Sequence, residues 1–233
     1  MTTFAFLIII VAGLAGLFWL VNRERSALWR RRKALLADCR PLFERAEQVD
    51  GVAGFPRLAG EIAGRRVVVE LLPDTMTLRR LPQLWLSLTV MTPLPDGAAF
   101  GALARPSGSE FYARTPDLPV RLEPPIGLPE DVMVRGRRRG AAFLAQAERA
   151  VADLMADARV KEVLVMPAGL RVIFQAAEGN RGQHLLLRQC DFGDERFDPA
   201  LFMRLYDGLE EIARTLLPAA MLAQLPETRG QRA

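Results

Sequence analysis

The stretch FAFLIIIVAGLAGLFWLV, Phe4–Val21, holds no charged residue and no proline. As a helix rising 1.5 Å per residue it would be about 27 Å long, close to the hydrocarbon thickness of a bilayer. The chain on its C-terminal side is too polar, and too often broken by Pro and Gly, to enter lipid. The pattern therefore predicts a short N-terminus at 1–3, one transmembrane helix at 4–21, and a water-exposed domain beyond it.

The flanks set the type of span and its direction. A removed secretory signal begins with basic residues and ends at a small-residue cleavage site. Here Met1-Thr2-Thr3 carries no basic side chain and the run ends in Trp19-Leu20-Val21. The basic residues follow the run, at Arg23, Arg25, Arg30, Arg31, Arg32 and Lys33. Positive charge within about 15 residues of a span stays cytoplasmic. The expectation is an uncleaved single-pass anchor in the cell membrane, N-terminus out, with the bulk of the chain cytoplasmic. Trp19 sits where an interfacial aromatic belongs. The six basic residues are expected at anionic lipid head groups, each adding about 1 kcal/mol near the surface. Ala12, Gly13 and Gly16 give the small-residue spacing that lets a second membrane helix approach, and are the expected helix–helix contact.

Of the 233 residues, 50% are apolar, enough for a sizeable core. The formal charge of +4 is almost wholly arginine, since Lys33 and Lys161 are the two lysines. Its clustering below the span points to membrane, and no basic-aromatic interleave points to nucleic acid. Cys39 and Cys190 lack CxxC spacing and His184 is the one histidine, so neither a disulfide framework nor a structural zinc site is expected. No cofactor is expected.

Residues 22–48 read as a basic juxtamembrane stalk helix, with an apolar stripe through Leu28, Leu35, Leu36, Cys39, Leu42, Phe43 and Ala46, interrupted at Pro41. Residues 49–225 read as an α+β domain of mainly antiparallel strands with flanking helices. Hairpins are predicted at 57–62 with 65–72, and at 160–166 with 170–176. An alternating strand is predicted at 84–90, with Leu84, Leu86, Leu88 and Val90 on one face. Further strands are expected at 132–135 and 184–190. Residues 93–129 carry eight prolines; short strands fit at 98–104 and 120–123, but the prolines argue against central strands and place a lobe boundary there, and the long irregular stretch is a candidate partner-binding surface. Helices are predicted at 141–156 and after Asp198-Pro199, an N-cap followed by an N1 proline. The repeated order of helix, hairpin and strand in the two halves suggests two related αβββ lobes. Residues 226–233 read as a frayed tail.

No catalytic constellation stands out. Asp191-Phe192-Gly193 copies the kinase metal-binding tripeptide without its companion motifs. His184, with Glu178 and Asp191 nearest in sequence, lacks an evident nucleophile. Glu210 and Glu211 read as a solvated face. Arg135, Arg137, Arg138 and Arg139 precede a helix whose dipole they oppose, so Arg137, Arg138 and Arg139 are expected to meet a partner or lipid. The sequence thus predicts a membrane-anchored, non-enzymatic interaction module, an accessory, assembly or scaffolding subunit with a membrane protein partner. The alternatives are a membrane-tethered enzyme with a site near His184 and a peripheral domain that senses anionic lipid.

Overall fold

Strand alternation at 84–90 places the centre of the molecule. In the computed structural model, which describes residues 2–74, 81–179, 192–193 and 196–217 and only the backbone of 2–9, this stretch is β4 (Gln83–Met91). Leu84, Leu86, Leu88 and Val90 all enter the main core, as the period-2 pattern requires. On one side β4 pairs with β3 (Arg65–Asp74), and β3 with β2 (Pro56–Ile62). The β2–β3 turn holds Ala63 at φ 50° and Gly64 at φ 73°. Positive φ at both central residues suits the right-handed twist of a two-residue hairpin.

On its other side β4 pairs with β9 (Gly169–Glu178), which forms the second predicted hairpin with β8 (Val160–Met166). Adding β1 (Glu44–Asp50), β5 (Phe100–Ala104), β6 (Val120–Arg121) and β7 (Val132–Gly136) gives one sheet of nine strands. Its order is β1-β2-β3-β4-β9-β8-β5-β7-β6, and every pairing is antiparallel. The two halves of the chain meet along β4 and β9 rather than forming two separate sheets. The third strand of the second repeat, expected at 184–190, lies outside the described residues, as do 76–80 and the tail from 226.

β5 falls within the short strand read at 98–104, but it is a central strand, which the proline density argued against. The prolines of the 93–129 stretch flank it, at Pro95 and Pro106, and none lies inside it. Its backbone is therefore free to pair on both sides, and it runs between β8 and β7 with all five residues buried. The stalk is shorter than expected. α1 (Thr2–Ala34) ends fourteen residues before Gln48, after Arg31, Arg32 and Lys33 in a last turn that suits their charge. A 3₁₀ turn over Ala37–Leu42 contains Pro41, and Glu44–Asp50 is an edge strand with a bulge at its start. Pro41 cannot donate the next helical hydrogen bond, and pairing with β2 then overrides the good local helix propensity of Glu44–Gln48.

Among the described residues no helix is long and apolar enough to cross a membrane. The described side chains of α1 begin at Ile10, and twelve uncharged residues, Ile10–Val21, separate it from Asn22 and Arg23. The first six residues of the expected 4–21 span are described as helical backbone alone.

α2 (Gly140–Met155) and α3 (Pro199–Leu216) pack together and cover one face of the sheet. Phe202, Leu205, Leu209 and Ile212 of α3 are at most 3% exposed and meet Leu86, Leu88, Val172 and Phe174 in one core. Asp198 caps α3, accepting from the Ala200 amide at 2.9 Å, with Pro199 at the first helical position. Glu210 is not solvated as expected. It turns inward from α3 to pair with buried Arg65 of β3 at 2.9 Å, while Glu211 stays outside with Arg214. Burial raises the Glu210 pKa, against the opposing pull of Arg65, Arg214 and the Tyr206 hydroxyl.

Replacing Asp198 with Ala removes the cap and leaves an amide of the first turn unpaired. The expected loss is about 1 kcal/mol of stability, read as a lower urea midpoint with unchanged slope.

Candidate functional site

Two places on the molecule are built beyond what the core requires. The first is the joint between α1 and the sheet. Trp29 lies against Gly54, which has φ 75° in the short turn Val52–Gly54, and a Cβ there would collide with the indole. Glycine is needed at this position for both reasons. The Arg32 guanidinium lies 4.8 Å from the Phe55 ring centroid and donates to the Ala53 carbonyl at 3.0 Å. Lys33 pairs with Asp50 at 3.1 Å, and the Gln48 side-chain amide donates to the Lys33 carbonyl at 3.1 Å. The Phe197 amide donates to the Leu35 carbonyl at 2.8 Å. The stalk is therefore fixed to the domain on several sides.

This divides the six expected head-group residues. Arg32 and Lys33 hold the joint, whereas Arg23, Arg25, Arg30 and Arg31 are exposed. Arg23 stacks over Trp19 at 5.3 Å. Farther up α1, Ile10, Val11, Leu14, Leu17, Phe18, Trp19, Leu20 and Val21 are each 44–70% exposed. Ala12, Gly13 and Gly16 lie among them, and a Cβ on either glycine would meet nothing within 4 Å.

Arg137, Arg138 and Arg139 are exposed at the entry to α2, with Arg139 at the cap position. The register places them far from the joint. Gly136 is level with Phe100, Val165, Leu170, Val90, Val67 and Gly60, the end of the sheet away from Asp50 and Pro56. β7 is six strands from β2, about 29 Å at the usual spacing. The two basic clusters thus occupy diagonal corners.

The second place is the loop from Arg105 to Asp117, clamped over the sheet face that α2 and α3 leave uncovered. Glu162 of β8 is fully buried. One of its oxygens accepts from the amides of Arg114 and Thr115, both at 2.7 Å, and from the Thr115 hydroxyl at 2.8 Å. The other pairs with Arg171 of β9 at 2.6 Å, and Arg171 also reaches the Tyr112 carbonyl at 3.1 Å. Beside it Lys161 pairs with Glu110 at 3.0 Å and donates to the Arg105 carbonyl at 2.6 Å. Glu110 further accepts from the Ser107 amide and hydroxyl, both at 2.7 Å, and from the Gly108 amide at 2.9 Å. Burial works against its charge, but the bonds from Ser107 and Lys161 outweigh it, and its pKa falls to about 2.

These charges hold an apolar patch in place. Tyr112 packs on Trp85, ring centroids 4.7 Å apart, with Leu103, Ala113 and Ile173 around them. Phe111 stands edge-on to Tyr112 and is 57% exposed. It borders an open bowl of about 400 Å³ lined also by Leu103, Met133, Arg114 and Asp117. Sequence reading marked the surrounding stretch 93–129 as a candidate partner-binding surface but did not single out the residues that anchor this loop. The signal was the charged pair Lys161-Glu162 inside an otherwise apolar strand, and its partners Glu110 and Thr115 lie about fifty residues away in the chain.

The histidine-centred alternative falls largely outside the described residues, which exclude His184, Cys190 and Asp191. Glu178 is exposed at the end of β9. Phe192 packs edge-on against Phe55 at 5.9 Å. Cys39 is buried, and burial followed by the carboxylates of Asp38 and Asp198 pushes its thiol up to about 12, so it is unreactive. Among the described residues no group of three or more His, Cys, Asp or Glu could hold a metal ion. No family model matches the sequence, and no curated protein is significantly similar to it.

Replacing Glu162 with Gln leaves Arg171 as an unbalanced buried charge. The expected cost is about 3–5 kcal/mol, measured by denaturant unfolding and by faster protease cleavage within 105–117. The clamp also carries an acid dependence. The Glu110 pKa lies below its ordinary value of 4.5, so the folded state takes up this proton later than the unfolded chain. Its contribution is complete above about pH 4.5 and is lost as pH falls toward 2. Amide exchange at Ser107 and Gly108, corrected for the intrinsic rate, should accelerate through that window.

Proposed function

We propose that the protein is a membrane-anchored, non-enzymatic interaction module, an accessory, assembly or scaffolding subunit of a membrane protein complex. The observation that carries this reading is the exposed apolar part of α1. Eight large apolar side chains between Ile10 and Val21 face outward on every side of one helix. A soluble monomer rarely exposes apolar surface of this extent, and a bilayer or partner helices would cover it. Phe4–Ile9 continue the same composition, so the span runs from 4 to 21 with the basic residues on the cytoplasmic side. Ala12, Gly13 and Gly16 offer the close-approach face for a partner helix.

The domain supplies a second contact. A loop held by two buried ion pairs presents Phe111 rigidly, and exposed aromatics fixed in this way make strong interface anchors at low entropic cost. A purely lipid-sensing role is less well supported, because the register sets Arg137–Arg139 diagonally across the sheet from the basic stalk.

The test is a native pull-down of the full chain from gently solubilised membranes, followed by mass spectrometry. A stoichiometric membrane protein partner is expected. Its recovery should fall with Ala12→Leu plus Gly16→Leu. Phe111→Ala should weaken it by at least about 1 kcal/mol, roughly fivefold. Isolation of the protein alone under conditions that preserve other membrane complexes would overturn the subunit reading.

A further inference from the structure

The joint between α1 and the sheet has a geometric consequence. α1 is one unbroken helix from Thr2 to Ala34, so no hinge separates Val21 from the domain. Trp29 lies eight residues beyond Val21, about 12 Å along the axis. Tilt of the helix brings that height closer to the head groups. The domain is thus held at the membrane by a rigid strut, and its contact with the bilayer depends on what the joint exposes.

What it exposes is amphipathic. Asn22, Arg25, Ser26, Trp29, Arg30 and Lys33 line one open groove of about 440 Å³ along α1. Trp29 is 43% exposed although its ring also touches Gly54. Beside it the Val52–Gly54 turn holds Ala53 at φ 52° and leaves Val52 50% exposed. Arginine forks match phosphate oxygens, and tryptophan favours the head-group layer.

We infer that this joint is a second membrane contact, in which Arg25 and Arg30 hold the phosphate of an anionic phospholipid while Trp29 and Val52 enter the interfacial layer. The inference rests on the anchored reading of α1. It adds that the domain lies against the bilayer with its β1–β2 corner down, and that the diagonal corner bearing Arg137–Arg139 points away. Charge complementarity selects anionic lipid, and the rigid strut supplies the proximity.

The test uses the full chain with Cys190→Ala and Val52→Cys, labelled at Val52→Cys with an environment-sensitive fluorophore. Cys39 stays in place because its buried thiol does not react. Val52 is exposed, so the change removes no core contact. The chain is reconstituted in phosphatidylcholine vesicles with or without phosphatidylglycerol. The label should shift to the blue and be quenched by brominated acyl chains when phosphatidylglycerol is present. Both effects should reverse in high salt and with Arg25→Gln plus Arg30→Gln. A label at Arg138→Cys should stay in water throughout. Alkaline washing separates the two ideas. A chain that stays with the vesicles while the Val52→Cys label remains in water overturns the inference and leaves the anchor standing. A chain released by the wash overturns both. A shift of equal size without phosphatidylglycerol overturns the head-group assignment.

Discussion

The pairing of β4 with β9 is the contact on which the molecule depends. Nine register pairs run from Gln83 with Glu178 to Met91 with Gly169. They bring together strands more than seventy residues apart and make one sheet of two hairpin systems. Both strands turn leucine, valine and phenylalanine toward α2 and α3, so the same pairing creates the floor on which the helices pack. It also sets the opposite face, where Trp85 of β4 and Ile173 of β9 receive Tyr112. Without it the 105–117 loop would lose the Trp85–Ile173 floor under Tyr112.

The two faces are stabilised differently. Apart from the Arg65–Glu210 pair, the helix side is apolar and continuous, and its stability follows mainly from burial. The loop side combines a small aromatic cluster with two buried ion pairs. Buried ion pairs add little net stability over apolar packing, but breaking one by removing a partner is costly. Such a network fixes one loop conformation at the expense of alternatives. That property suits a surface that must be presented to another molecule, and it fits a domain whose stalk is equally fixed.

Much of the fold was legible where local pattern and tertiary need agree. The alternation in 84–90, the Ala63-Gly64 turn and the Asp198-Pro199 start of α3 all formed as the residues implied. β1 was not legible, because Glu44–Asp50 is mostly charged and becomes a strand only through β2. The strand at β5 was legible, but its central position was misjudged because proline density was averaged over 93–129, whereas the prolines lie outside 100–104. Glu210 was placed with Glu211 on a solvated face, and the pull of Arg65, about 145 residues earlier, could not be seen. A shorter separation, about fifty residues, likewise hid the Glu162 and Glu110 clamps. The stalk arginines were read as one group, and the structure separates Arg32 from those that remain exposed. Ala12, Gly13 and Gly16 lie on an uncovered surface of α1.

The account stands on α1 crossing a membrane once with the domain on the basic side. The most direct measurement is protease protection in sealed right-side-out membrane vesicles carrying the full chain with an N-terminal epitope. The account predicts that external protease removes the epitope while residues 22–233 survive until the vesicles are opened. Digestion of the domain in sealed vesicles, or its release from them in alkaline buffer, would contradict it.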